Sequence, residues 1–494
     1  MLYVGRLPFV AIALSGLLAA DLTEASPCVD VVQNGVTFTF DRVYECGQFA
    51  NGDWWVTPDA PGGTVLLSQI TPDFDGASHG WEVNPVGPSD QGFDTRIASF
   101  DAALVPELPY SARGGESIVK GISVPEGSCR PCLDSASILT VLDTPPPGGG
   151  VDRFRPPYVG FEKPMIPTAR LRLELLPDLD PTPSAPTFAD VQISFGQPWL
   201  DHKSGWQGRE LHPEESMPDY GADIAAVTGD GALALMLSGD AEEKRQAAIR
   251  YVQVGLDLYT AYRNGSTWTP NGGHSPGRRL PMAMAATLLD NATMRRVVRT
   301  APETDFGEEG SLAAGENAGI PLWGQPCSDE QYWQQARFDQ GNKSCLDPYG
   351  YIDGGETPGE SYQFCCNSSP FRGHALALRL MPELRCAWPA DEFLEYVDRW
   401  VERGTHSQPD PCAGYDGDPD GYGITYGPDG LGGCILDTDP SDGVGRHPDL
   451  HGSNANDGHH GSVFHGEMWD AYRAQADDSV SPLCALAGEP QPNG

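Results

Sequence analysis

EEKRQAAIRYVQVGLDLYTAYRN, residues 242–264, places Ile249, Val252, Leu256 and Tyr259 in one stripe and charged residues on the opposite face. That spacing is the period of an amphipathic helix. Just upstream, YGADIAAVTGDGALALMLSG (220–239) has small and apolar residues at the same spacing. Downstream, helices are expected at 277–290, 328–338, 372–383, 391–403 and 464–475. The links between them are long and rich in Gly, Asp and Pro. Helices joined this way suggest paired walls with loops building a cleft at one end, because a plain bundle has shorter connections.

Before about residue 205 the pattern changes. VVQNGVTFTFDRVYECGQFANGDWWVTP contains alternating and aromatic runs broken by Asn-Gly turns, and includes the pair Trp54 and Trp55. Further strands are expected at TVLLSQI (64–70), ARLRLELLP (169–177) and ADVQISF (189–195), separated by PPPGGG (145–150) and PTPSAP (181–186). The expected fold is therefore multidomain α and β: an N-terminal β-sandwich-like domain over 26–205, then an α/α toroid over 206–478. Residues 479–494 form a C-terminal tail.

Residues 1–25 read as an export signal. Arg6 precedes the apolar run LPFVAIALSGLLAA, and small residues follow at Ala19, Ala20 and Ala25. The run is short for a bilayer span. A secreted, extracytoplasmic protein with no membrane association after signal cleavage is expected. The twelve cysteines are even in number and fit disulfides in that setting. Cys28 and Cys46 suit a staple between N-terminal strands, and Cys129 and Cys132 a local loop. Cys327 and Cys345 bracket a short insertion, and the remaining six lie in the C-terminal half. Zinc is the competing use, although the spacings form no pair of CxxC knuckles.

The formal net charge is −38, from 69 acidic and 31 basic residues, and only five of the basic residues are lysines. Such a surface repels nucleic acid and anionic membranes unless a local basic cleft overrides it. The same repulsion works against long-range steering of an acidic polysaccharide.

Three segments carry chemistry. The first runs Trp268-Thr-Pro-Asn271-Gly-Gly-His274-Ser-Pro-Gly-Arg278-Arg279 between two helices. Asn271 offers an amide, His274 an imidazole that titrates near neutrality, and Arg278 and Arg279 planar forks for a carboxylate or phosphate. β-Elimination on a uronic acid needs this set. A group must neutralise the C6 carboxylate, a base must take the C5 proton, and an acid must protonate the leaving C4 oxygen.

The second segment, 454–472, has His459, His460 and His465 within seven positions, with Glu467 and Asp470 following. It suits a substrate or catalytic wall, a metal site without HExxH spacing, or structural hydrogen bonding. The third, 347–363, offers Tyr349, Tyr351 and Tyr362 as proton donors or stacking faces, with Gln363 beside them. Trp323 adds a further aromatic face. Asp416, Asp418 and Asp420 form the first half of an acidic calcium loop whose closing glutamate is replaced by Gly427. No cofactor is expected for the chemistry itself, and a structural calcium is the one ion these acids suggest. No P-loop or dinucleotide fingerprint is present.

Over 210–475 the helices and these residues resemble the α/α-toroid polysaccharide lyases, a group that includes alginate, chondroitin and heparin-type enzymes. The resemblance implies that Asn271 and Arg278 neutralise the carboxylate and that His274 is the base. It implies Tyr349 or Tyr362 as the acid, with His465 also at the catalytic wall. Trp268, Arg279, Gln363, Trp323 and His459 would then contact an extracellular polysaccharide. The β-domain precedes the helices here, whereas large lyases usually place it after them. Two alternatives stay open. One is a glycoside hydrolase pairing Glu308 or Glu309 with Asp353. The other is a non-catalytic extracellular carbohydrate-binding protein.

Overall fold

The computed structural model describes residues 25–314, 321–323, 363–403, 425–428, 434–436, 460–476 and 484. A mixed, curled sheet comes first and a largely helical region follows. The expected export signal, except Ala25, lies outside the described residues.

The sheet begins with a hairpin. Strand β1 (Ser26–Gln33) turns through Asn34 and Gly35 into β2 (Val36–Gln48), with Gln33 opposite Val36. Both turn residues have positive φ, 47° and 76°, as a two-residue hairpin loop requires. Cys28 and Cys46 are joined by a disulfide across this pair. Strand β3 (Trp54–Thr57) pairs with the end of β2, and β4 (Thr64–Thr71) with its start. Strands β5 (Trp81–Val83), β6 (Tyr110–Arg113), β7 (Glu116–Ser123) and β8 (Leu133–Val141) complete one eight-stranded sheet. The β3–β8 contact is parallel and the other strand pairs are antiparallel.

Strands β7 and β8 are buried nearly throughout because both of their faces are covered. Ile118, Leu139 and Val141 pack with Phe38, Phe40, Leu67 and Trp81 on one side. Val119 and Ile138 alternate to the other side and meet Leu200, Leu211 and Ala261 of the helical region.

The helices are α1 (Phe188–Ser194), α2 (Gly205–Leu211), α3 (Gly221–Ala234), α4 (Ala241–Arg263), α5 (Arg279–Leu288) and α6 (Ala292–Arg299). Then come α7 (Ser368–Leu380), α8 (Asp391–Arg403) and α9 (Val463–Tyr472). Asp240 caps α4 by accepting from the amides of Glu242 and Glu243. Of the expected stripe, Ile249, Val252 and Leu256 are buried and Tyr259 is half-buried. Tyr251, Val254 and Leu258 are buried too, so α4 is enclosed on more than one face. None of the helices described is long and apolar enough to cross a membrane.

Two expected strands are corrected. In place of the strand at 189–195 the chain forms α1 (Phe188–Ser194), because Thr187 and Asp190 make a reciprocal capping box that starts a helix there. Residues 169–177 form two short 3-10 turns, Thr168–Arg170 and Leu173–Leu175. The helix expected at 328–338 lies outside the described residues.

Sheet and helices are joined by buried charge. Arg155 donates from Nε to Asp53 and from Nη2 to Asp257 of α4, each at 2.5 Å, and from Nη1 to the Pro156 carbonyl. Disulfides also join Cys129 to Cys132 and Cys386 to Cys484.

Candidate functional site

The loop 268–279 leaves α4 and crosses the N-terminus of α3. The Ala222 amide of α3 donates to the Gly273 carbonyl, and Asn367 donates to the Gly272 carbonyl. A Cβ on Gly273 would overlap the Tyr220 hydroxyl oxygen, so glycine is what lets that ring close against the loop. His274 projects from this crossing into a cluster that α2, α3 and the 460 segment complete.

Arg209 of α2 donates from Nη1 to His274 Nδ1 at 2.9 Å and pairs with Asp219 at 2.5 Å. Its guanidinium lies 4.7 Å from the Tyr220 ring centre and 5.0 Å from that of Trp206. Arg130 approaches Trp206 at 5.2 Å and Asp219 at 3.2 Å, and its side chain is 47% exposed. Tyr220 stands between two imidazoles, 5.1 Å from His274 and 5.0 Å from His460. His460 Nδ1 is 2.6 Å from Asp223 Oδ1, in the first turn of α3.

These contacts set the tautomers. A guanidinium only donates, so His274 Nδ1 must accept, and the neutral ring carries its proton on Nε2. Desolvation, then the charges of Arg209 and Arg130, push the His274 pKa down to about 4. His274 is thus neutral at neutral pH and presents an N–H. A carboxylate only accepts, so His460 donates from Nδ1, which in the neutral ring leaves the lone pair on Nε2. The cluster therefore offers an oriented base, an N–H donor, a phenol and an accessible guanidinium.

Among the sequence-selected residues, His274 joins this cluster and Asn271 is exposed on its loop. The rest of the described set is built into the interior. Arg278 is 2% exposed and pairs with Asp201, which also meets His212. Arg279, equally buried, pairs with Glu309 and lies over Phe306 and Trp388. Trp268 stacks on Phe306, Trp323 packs near Phe371 and Tyr396, and Gln363 donates to the Tyr396 hydroxyl. His465 is buried against Gly229 and Gly373 and meets Asp230 at 3.1 Å. Tyr349, Tyr362, His459, Asp416, Asp418 and Asp420 lie outside the described residues, as does Asp353.

Glu308 is fully buried. It accepts from the Gly277 amide and faces His374, and although burial acts to raise its pKa, that imidazole and the amide leave it lowered on balance. Among the described residues no group of three His, Cys, Asp or Glu side chains is placed to hold a metal ion.

Arg209, Tyr220 and Asp223 did not stand out in the sequence. Their signal is faint: a Tyr at the N-cap of a helix, an Asp in its first turn, and a His-His pair far along the chain. No family model, curated protein or solved structure matches this chain.

Proposed function

We propose that this protein is a secreted polysaccharide lyase that cleaves a uronic-acid-containing glycan by β-elimination at the Tyr220–His274–His460 cluster. The observation that carries it is the pairing of two oppositely protonated imidazoles around one phenol, beside an accessible arginine. His460, oriented by Asp223, takes the C5 proton on Nε2. Arg130 and the His274 Nε2–H offset the charge that gathers on the C6 carboxylate. Tyr220 passes its proton to the departing C4 oxygen. Arg209 acts through its neighbours, fixing the His274 tautomer and flanking Tyr220.

The base role thus moves from His274 to His460, because Arg209 occupies the nitrogen that His274 would need. Arg130 and Arg209, both paired with Asp219, are the cations the cluster offers a polyanion on a chain of net charge −38. A two-sheet sandwich and helices closed into an α/α toroid belong to this proposal as its architecture. The rival hydrolase draws less support, since Glu308 is enclosed and Glu309 is engaged by Arg279.

The test is ultraviolet absorbance of an unsaturated product on a panel of alginate, pectate, chondroitin and heparin. Turnover on one of them is expected, with His460→Ala lowering kcat by about 10²- to 10⁴-fold, the usual contribution of a general base. New reducing ends without absorbance would make the protein a hydrolase. Binding with no turnover would make it a carbohydrate-binding protein, and either result ends the lyase proposal.

A further inference from the structure

A second concavity shares no lining residue with the cluster above. It lies between the C-terminal turns of α4 and the loop 157–166, with a volume of about 500 Å³, the size range of small-ligand sites. Its apolar lining is Met165, Ile166, Leu256, Tyr259 and Met294, with Phe161 at the mouth. Phe161 is 79% exposed, the most exposed large apolar side chain described.

The loop that displays this ring is anchored. Lys163 Nζ donates to the carbonyls of Pro157 and Tyr158, and the Gly160 amide donates to the Pro85 carbonyl. Gly160 has φ 66°, and a Cβ there would meet Asn264 at 2.8 Å, so the loop lies directly on the end of α4. An exposed aromatic on a tethered loop, above an apolar floor, is a covering element for a ligand rather than a frayed end.

Charge gives the ligand its class. Arg170 and Arg263 both line the groove, against one acid, Glu162. Arg170 is exposed, and its guanidinium makes no ion pair or hydrogen bond among the described residues. Arg263 reaches the Tyr259 hydroxyl at 3.4 Å, a long contact that leaves most of its fork available. On so acidic a chain, two arginines beside an apolar floor favour a carboxylate or related anionic head.

We propose that this groove binds an amphipathic anion, its apolar body on Leu256, Tyr259 and Met294 under Phe161 and its head between Arg170 and Arg263. The site is independent of the lyase proposal and stands or falls separately.

The probe is anilinonaphthalene sulfonate, followed by fluorescence on the full chain. Saturable binding of one equivalent is expected, displaced by decanoate but not by decanol. Replacing both arginines, Arg170→Ala with Arg263→Ala, should weaken binding about tenfold or more, as loss of a charged hydrogen bond does. Phe161→Ser should also weaken it, and because all three side chains are exposed, unchanged circular dichroism is expected. Absence of saturable binding, indifference to the arginine pair, or equal displacement by decanol would each overturn the proposal.

Discussion

His274 and His460 flank one tyrosine ring yet hold their protons in opposite ways, and the difference comes from one neighbour each. Arg209 gives His274 a donor to accept from, while Asp223 gives His460 an acceptor. For His274 the consequence is measurable. Its folded pKa of about 4 lies below the ordinary value of 6.5, so between these values the unfolded chain binds the extra proton. The stability this histidine contributes is complete above pH 6.5 and is lost as pH falls from there toward 4. NMR titration of the imidazole should show the low pKa directly. In Arg209→Gln it should rise toward 6.5, although burial still holds it down. An unchanged titration would mean that Arg209 does not govern this ring, and the tautomer assignment would go with it.

At the scale of elements, the site exists because the loop 272–275 lies across the start of α3. Gly273 is the point of closest approach, with the Tyr220 hydroxyl where a Cβ would stand. Gly273→Ala should push Tyr220 out of line, lowering kcat on a uronate substrate at least tenfold. The stability cost should stay near about 1–3 kcal/mol, the usual range for overpacking, as read by urea denaturation. Wild-type turnover in this variant would show that the ring's position does not matter.

The same crossing shows what was readable beforehand. Long periodic α4 and the Asn34-Gly35 hairpin announced themselves, since each is specified by neighbours in the chain. Residues 189–195 misled because an alternating run of seven suits a strand or a short helix, and the Thr187–Asp190 cap decided it. His274 was legible as an imidazole in a glycine-rich loop. Its partners were not, because Arg209 is 65 positions away and the His460–Asp223 pair spans 237. Arg278 and Arg279 looked like surface forks, but Asp201 and Glu309 turn them inward, and nothing local signals that.

At the scale of the whole molecule, the question is whether the sheet and the helices behave as one body. Val119 and Ile138 of the sheet share a core with Leu211 and Ala261, and Arg155 ties Asp53 to Asp257 through that boundary. Arg155 and Asp53 are each 1% exposed and Asp257 is 5%. Asn51 and Gln33 also donate to Asp53, so that carboxylate keeps partners if the arginine is lost. Asp257 has less support: its Oδ1 has no hydrogen-bond partner, and besides Arg155 only Gln253 helps hold its charge. Burial already raises its pKa, and the Arg155 charge is the main influence opposing the rise. Arg155→Leu would therefore leave Asp257 buried without its cation, which costs about 3–5 kcal/mol when one partner of a buried pair is removed. Because the loss falls on the joint, unfolding should change in form as well as midpoint. The wild type should melt in one cooperative step, and Arg155→Leu should separate the sheet from the helices into two. Double replacement with Asp257→Leu should recover much of the loss, since an apolar pair needs no counter-charge. Calorimetry of the three proteins decides it: a single undisplaced transition in Arg155→Leu would mean that the apolar contacts alone hold the two regions together.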